Sequence, residues 1–173
     1  ISIYGMTKAA GELILSNFAP KHQLSYTIFR LSNVYGSERD LPERVIPRFA
    51  QLALRNLPLT VNGGKQVLDF TFIDDVVDLL ASMPSHLGNP EIDRDVFLLA
   101  TGVGTSLLEL PSLIVRIFNS SSTVRILPQR SYDVQSFIGD CGKASRKLGF
   151  VPKTGLMKGL ETYRDRLMKR GLD

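Results

Sequence analysis

Runs that suit buried strands alternate along this chain with runs that suit amphipathic helices. That alternation confines the fold to the α/β class before any single residue is considered. The stretch "LSYTIFRLSNVYG", closed by Gly36 and Ser37, is rich in β-branched and aromatic residues and reads as one buried strand. It follows a segment from Met6 to Phe18 in which Ala, Glu and Leu are abundant and which Pro20 is expected to stop. Downstream, a helix is expected over about Val45 to Leu54, with Pro47 harmless in its first turn. Short strands around Leu59–Val61 and Val67–Phe72 flank "NGG", a strong turn signal that joins them. "IDDVVDLLASM" reads as a helix capped by Asp74 and Asp75 at its positive end. "VFLLA" is a further buried strand, and Ser106 with Glu109 forms a capping box opening a helix towards Phe118. "TVRIL", a short helix after Asp140 and a last helix from about Leu156 complete the pattern, which contains no internal repeat.

Composition narrows the partners. With 173 residues, 43% of them hydrophobic, the chain can form one domain with a real core, or most of one domain plus a small lobe. The net charge of +4 is scattered, which suits an anionic small molecule and gives no stripe for nucleic acid. The single Cys141 excludes internal disulfides and cysteine metal clusters. No apolar run approaches a signal-peptide core or a membrane span, so a cytoplasmic protein is the expectation. His22 and His86 stand alone in loops and give neither a metal site nor a histidine-based triad. "TGVGTS" lacks the G-x-G-x-x-G spacing and reads as a tight strand-to-helix turn, not a phosphate cradle.

Chemistry enters in "IYGMTKAAGE". Tyr4 and Lys8 stand four apart, so on a helix both lie on one face. A free phenol has a pKa of about 10, and an ammonium held close favours the phenolate, which moves the group towards the range of useful general acid–base catalysis. The same spacing also arises where a lysine merely covers a tyrosine ring, and from these two residues both readings stay open.

A set of segments in fixed order goes further: "YGMTKAAGE", "FRLSNVYG", "VIPRFAQLALRNLPLTVNGG", "LDFTFIDDVVDLL" and "GDCGKASRKLGFVPKTGLMKGL". Together they resemble the extended short-chain dehydrogenase/reductase superfamily, in its nucleotide-sugar epimerase/dehydratase branch, over nearly the whole chain. The resemblance implies the C-terminal part of a Rossmann-like doubly wound parallel sheet plus a small α/β substrate-binding lobe. Residues 1–36 would be what remains of the NAD(P)-binding domain, and 37–173 mainly the lobe, with segments returning to the sheet. Members of that family begin with a Gly-rich Rossmann half, so the chain is expected to be the second half of a longer enzyme.

By the same resemblance Tyr4 is the general acid/base for a sugar hydroxyl, and Lys8 lowers its pKa and binds the nicotinamide ribose of NAD or NADP. Ser32 and Val34 flank the nicotinamide. Asn33 contacts the nucleotide diphosphate, and Arg130 and Asp133 in "RSYD" bind phosphate and ribose. Arg30 ends the strand leading to the sugar cleft. Simpler roles stand beside these: Arg30 pairing with a helix-end carbonyl, and Asn33 capping the turn before Gly36. The family's diphosphate-clamping arginine is replaced by Leu68, which removes a bidentate charge-assisted contact worth a few kcal/mol at most. The expected function is a nucleotide-sugar epimerase, dehydratase or decarboxylase working by transient hydride transfer, as a homodimer through the Tyr4 helix. Two alternatives accompany it: an NAD(P)-dependent reductase or dehydrogenase of a non-nucleotide hydroxylated small molecule, and a non-catalytic fragment or interaction domain.

Overall fold

A computed structural model describes residues 2–86, 88–129 and 134–171 of the chain. The first helix, α1 (Ile3–Lys21), starts where the Ser2 side chain accepts a hydrogen bond from the Gly5 N–H at 3.1 Å. Pro20 lies inside its last turn and does not stop it short. A proline there forfeits one intrahelical bond, and the chain then closes by His22 and Leu24 donating to the Ala19 carbonyl at 3.2 and 2.9 Å.

The expected single strand is two. β1 (Thr27–Leu31) pairs in parallel with β5 (Asp95–Leu99), whereas β2 (Asn33–Tyr35) pairs in parallel with β4 (Val67–Phe72). Ser32 is the switch between sheets. Its N–H donates to the Leu99 carbonyl at 3.0 Å and its hydroxyl shares a 2.6 Å hydrogen bond with Thr71, so one residue ends the first ladder and is tied to the second. β4 also carries β6 (Gly104–Ser106), antiparallel, and β8 (Ser136–Phe137), parallel.

β3 (Leu59–Asn62) pairs in parallel with β7 (Val124–Leu127), so "NGG" closes no hairpin. The turn is real, with Gly63 and Gly64 at φ of 76° and 94°. It is braced by buried Gln66, which accepts from the Gly64 N–H at 2.7 Å and donates to the Asn62 carbonyl at 3.0 Å. "TGVGTS" likewise leads first into β6 and only then into α4 (Glu109–Ile117).

Two hydrophobic cores result. One joins β2, β3 and β4 to α2 (Val45–Leu54), α4 and α6 (Leu156–Lys169) through Tyr35, Phe49, Phe70, Phe72, Ile114 and Leu160. The other sits under β5, between α3 (Ile73–Ser82) and α5 (Gly142–Leu148), around Val76, Leu79, Phe97, Leu99 and Leu148. The two acids opening α3 join these parts and make no side-chain cap of the helix. Asp74 accepts from Arg166 of α6 at 2.6 Å, and Asp75 accepts from the N–H and hydroxyl of Thr154, both at 3.1 Å.

By contrast α1 buries only Ala19 of its 19 residues, and Ile3, Tyr4, Met6, Leu13, Ile14 and Phe18 are exposed. Among the described residues no strand pairs with the second edge of β1. Parallel strands ordinarily have both faces covered, so this corner is the least completed part of the fold.

Helix α6 approaches β2 closely because residue 159 is glycine: a methyl there would overlap the Tyr35 hydroxyl and the Phe72 ring. Tyr35 donates to the Leu156 carbonyl at 3.2 Å. Gly159→Ala is therefore expected to destabilise the chain by about 1–3 kcal/mol in urea unfolding, and Tyr35→Phe in the same chain to recover part of that loss. Equal stability of Gly159→Ala and wild type would show that the contact is looser than this.

Candidate active site

A solvent-exposed ion pair joins the helix bearing Tyr4 to the sheet. Glu12, two turns beyond Tyr4 on α1, accepts from Arg30 Nε at 2.9 Å and from Nη2 at 2.5 Å. Those hydrogen bonds hold the Glu12 carboxyl below the usual carboxylate range and raise the Arg30 guanidinium. Arg30 thus bonds a carboxylate of α1, not a helix-end carbonyl. Tyr4, Lys8 and Glu12 recur at four-residue steps and form one slowly drifting line along the helix.

At its exposed end, the Lys8 ammonium lies over the Tyr4 ring, 5.4 Å from the centroid. Tyr4 and Lys8 are exposed at the N-terminal end of α1 and are not among the residues that line the cleft beginning at Asn33.

Asn33 is held by its amide nitrogen, which donates to the Asp69 main-chain carbonyl at 2.9 Å. It does not cap the turn before Gly36. Val34 and Tyr35 continue into the wall of a cleft of about 190 Å³, closed on other sides by Phe70, the first turn of α2, and an Asp40–Arg44 pair. Arg44 Nη1 donates to Asp40 at 3.0 Å. The cleft thus has an apolar floor, an amide at one end and a charged pair at its rim.

Beneath it lies a residue that sequence reasoning missed. Asp69 is wholly buried in β4. Its Oδ1 accepts from the Thr101 N–H (2.9 Å) and hydroxyl (2.8 Å); its Oδ2 accepts from the N–H groups of Gly102 (2.8 Å) and Gly139 (3.2 Å). The "TGVG" turn therefore binds an internal carboxylate with the N–H groups that a phosphate cradle would need free. The signal was present in "LDFTF": an acid inside an otherwise apolar strand needs buried donors.

The structure thus brings Asn33 and Val34 into one cleft with Asp40 and Arg44, sets Ser32 at the sheet switch, and stacks Tyr4 with Lys8 on α1. Arg44 was also missed; its signal was a basic residue opening the "VIP" helix. Leu68, at the place where the resemblance implies an arginine, packs against the larger core opposite Thr105 and Phe137. Arg130 and Asp133 lie outside the described residues.

Comparison with known proteins is consistent with this arrangement. The model of the NAD dependent epimerase/dehydratase family matches residues 1–96. UDP-glucuronic acid decarboxylase 2 of Arabidopsis thaliana is 30% identical over 168 residues, which is 92% of this chain and 35% of that protein. The crystal structure of UDP-glucose 4-epimerase from Thermotoga maritima, with UDP-glucose, superposes with a TM-score of 0.89 at 33% identity, over 98% of this chain and 54% of that one. UDP-glucuronic acid 4-epimerase from Bacillus cereus, in complex with UDP-glucuronic acid and NAD, gives 0.85 at 27% identity, over 96% and 52%. This chain spans about half the length of the first curated relatives it matches. It belongs to the NAD-dependent epimerase/dehydratase family.

Replacing Asp69 by Asn keeps the shape but turns an NH₂ group towards backbone donors. Asp69→Asn should lower stability by about 3 kcal/mol in urea unfolding, because buried N–H groups then lose their acceptor. A change under about 0.5 kcal/mol would contradict the hub described here.

Proposed function

For a member of this family with this site, we propose a role as the sugar-binding half of an NAD(P)-dependent nucleotide-sugar epimerase, dehydratase or decarboxylase. What supports the reading is the Tyr4–Lys8–Glu12 line on α1, joined through Glu12 to Arg30 of β1, together with a cleft that opens at Asn33, two residues past the end of that strand. Residues 1–36 serve the cofactor side in this reading, and 37–173 mainly the substrate side.

Tyr4 takes and returns the proton of a sugar hydroxyl through its phenol oxygen. Lys8 keeps its ammonium beside the Tyr4 ring, where it can also reach the nicotinamide ribose in this reading. Asn33 turns its amide oxygen to the ligand while its nitrogen stays on Asp69, and the floor of Val34, Tyr35 and Phe70 keeps water from one face of the bound molecule. Arg130 and Asp133 complete the phosphate and ribose contacts.

The residues present suit one side of a nicotinamide cofactor. Lys8 and Tyr4 are exposed on α1, and Ser32 and Val34 sit at the sheet switch, but the N–H groups at Thr101 and Gly102 are consumed by Asp69 and cannot hold its pyrophosphate. NAD or NADP, when bound, supplies hydride acceptance and return. The glycine-rich half that would hold the rest is assigned to the open edge of β1 and the uncovered side of α1. The apolar residues Leu13, Ile14 and Phe18 on that helix also suit a two-fold contact between copies.

Leu68 favours one second reading, a reductase or dehydrogenase of a hydroxylated molecule without a diphosphate, since an apolar contact stands where a clamping cation is expected.

In the protein that carries the glycine-rich half, Tyr4→Phe should lower kcat by about 10² or more while leaving cofactor affinity nearly unchanged, and Lys8→Ala should impair both. Ordinary single-turnover rates in Tyr4→Phe would remove the acid–base role. Calorimetric titration of the 173-residue chain alone with NAD and NADP should give no measurable binding; a micromolar dissociation constant would contradict the division of labour.

A further inference from the structure

The last helix, α6, is tied across the exit of β2 at both of its ends. At its start the Leu156 carbonyl accepts from the Tyr35 hydroxyl at 3.2 Å, and Thr154, just ahead of it, is held by Asp75. About three turns on, Arg166 spreads one guanidinium over two elements. Its Nη1 donates to the Gly36 carbonyl at 3.1 Å and its Nη2 to the Asp74 carboxylate at 2.6 Å. At the C-cap, Arg170 Nη1 donates to the Glu38 carbonyl at 2.8 Å. Consecutive acids at the head of α3 thus hold the two ends of α6, and its arginines hold the segment into which β2 runs.

Packing places Arg166 for this task. Its guanidinium lies 5.2 Å from the centroid of the Phe72 ring, and a methyl at Gly36 would overlap that same ring. Backbone, ring and guanidinium therefore meet in one close contact. The segment that follows Gly36 carries mainly local hydrogen bonds: Ser37 accepts from the N–H groups of Arg39 on its hydroxyl and of Asp40 on its carbonyl, both at 3.1 Å, and the Asp40 carboxylate accepts from the Leu41 N–H at 2.8 Å. Local bonds of this kind shape a turn without fixing where it lies, and a segment so held opens at low free energy. The charge-assisted bonds from Arg166 and Arg170 supply the long-range tie.

We propose that Arg166 is a positioning residue. By joining Gly36 to Asp74 over the Phe72 ring it keeps the 37–41 turn in a single place, so that a ligand binding beside that turn does not have to order it. The effect on affinity rests on the nucleotide-sugar reading above; the effect on the turn does not.

Amide hydrogen exchange of the 173-residue chain, followed by NMR, and equilibrium dialysis against UDP-glucose test the proposal together. Arg166→Met should speed exchange at Arg39, Asp40 and Leu41 by about tenfold and leave the β1–β5 ladder unchanged. Binding of UDP-glucose should weaken by about fivefold, because the loosened turn must then be ordered by the ligand. Arg166→Lys should give values between these and wild type, since it keeps the charge and loses the fork that spans two acceptors. Arg170→Met, altered at an exposed position, should act in the same direction and decides the matter where Arg166→Met fails to fold. Unchanged exchange in the turn overturns the inference and leaves the nucleotide-sugar reading standing. Faster exchange spread evenly over both cores, or a loosened turn with wild-type affinity, overturns it as well. Failure of the wild-type chain to bind UDP-glucose overturns the reading and with it the effect on affinity, while exchange in the turn still tests the tie itself.

Discussion

The buried carboxylate of Asp69 is the interaction on which the rest of this structure depends. An ionised carboxylate taken from water into a protein interior costs several kcal/mol unless it is fully hydrogen-bonded. Here the compensation comes from two segments far from β4 in sequence: Thr101 and Gly102, just past the end of β5, and Gly139, just past β8. The same residue's main-chain carbonyl fixes the Asn33 amide at the head of β2. One acid therefore locks the turn after the β1–β5 pair onto the sheet that carries the cleft. Close packing reinforces it, because a Cβ at Gly139 would overlap the Ala100 methyl.

This dependence explains which parts of the fold were legible in the sequence. Helices α2, α3 and α6 were readable because each displays an apolar face at helical spacing, and β5 because a short apolar run lies between turn residues. The pairing of β3 was not, since its partner β7 lies 65 residues on and nothing local distinguishes a glycine turn that closes a hairpin from one braced by a glutamine side chain. The short strands β6 and β8 were hidden for a related reason: each exists only because β4 offers an edge beside the Asp69 anchor. The break at Ser32 escaped notice because a serine between two β-rich runs looks the same whether the chain keeps its partner or changes it.

The candidate site divides in the same way. Tyr4 and Lys8 share a helix, so their four-residue spacing brought them together on inspection. Glu12 with Arg30, Asn33 with Asp69, and Asp74 with Arg166 join residues 18, 36 and 92 positions apart, and such contacts leave no local spacing to read. Their effects are nonetheless simple. Glu12–Arg30 joins α1 to β1, the Asp69 carbonyl holds the Asn33 amide, and Arg166 of α6 with Arg170 at its C-cap donate to the carbonyls of Gly36 and Glu38, ahead of Asp40 and Arg44. The Asn33 contact and those to the 36–38 segment flank one cleft, and Val34, Tyr35 and Phe70 line it between them.

The central claim is that this cleft, and not another surface of the chain, receives a nucleotide sugar. The most direct measurement is a two-dimensional amide and side-chain NMR titration of the isotopically labelled chain with UDP-glucose. The account predicts saturable shifts at Asn33, Val34, Tyr35, Phe70 and the residues from Arg44 to Ile46, with the β3–β7 ribbon unmoved. Saturable shifts confined to other surfaces, or none at millimolar ligand, would contradict it.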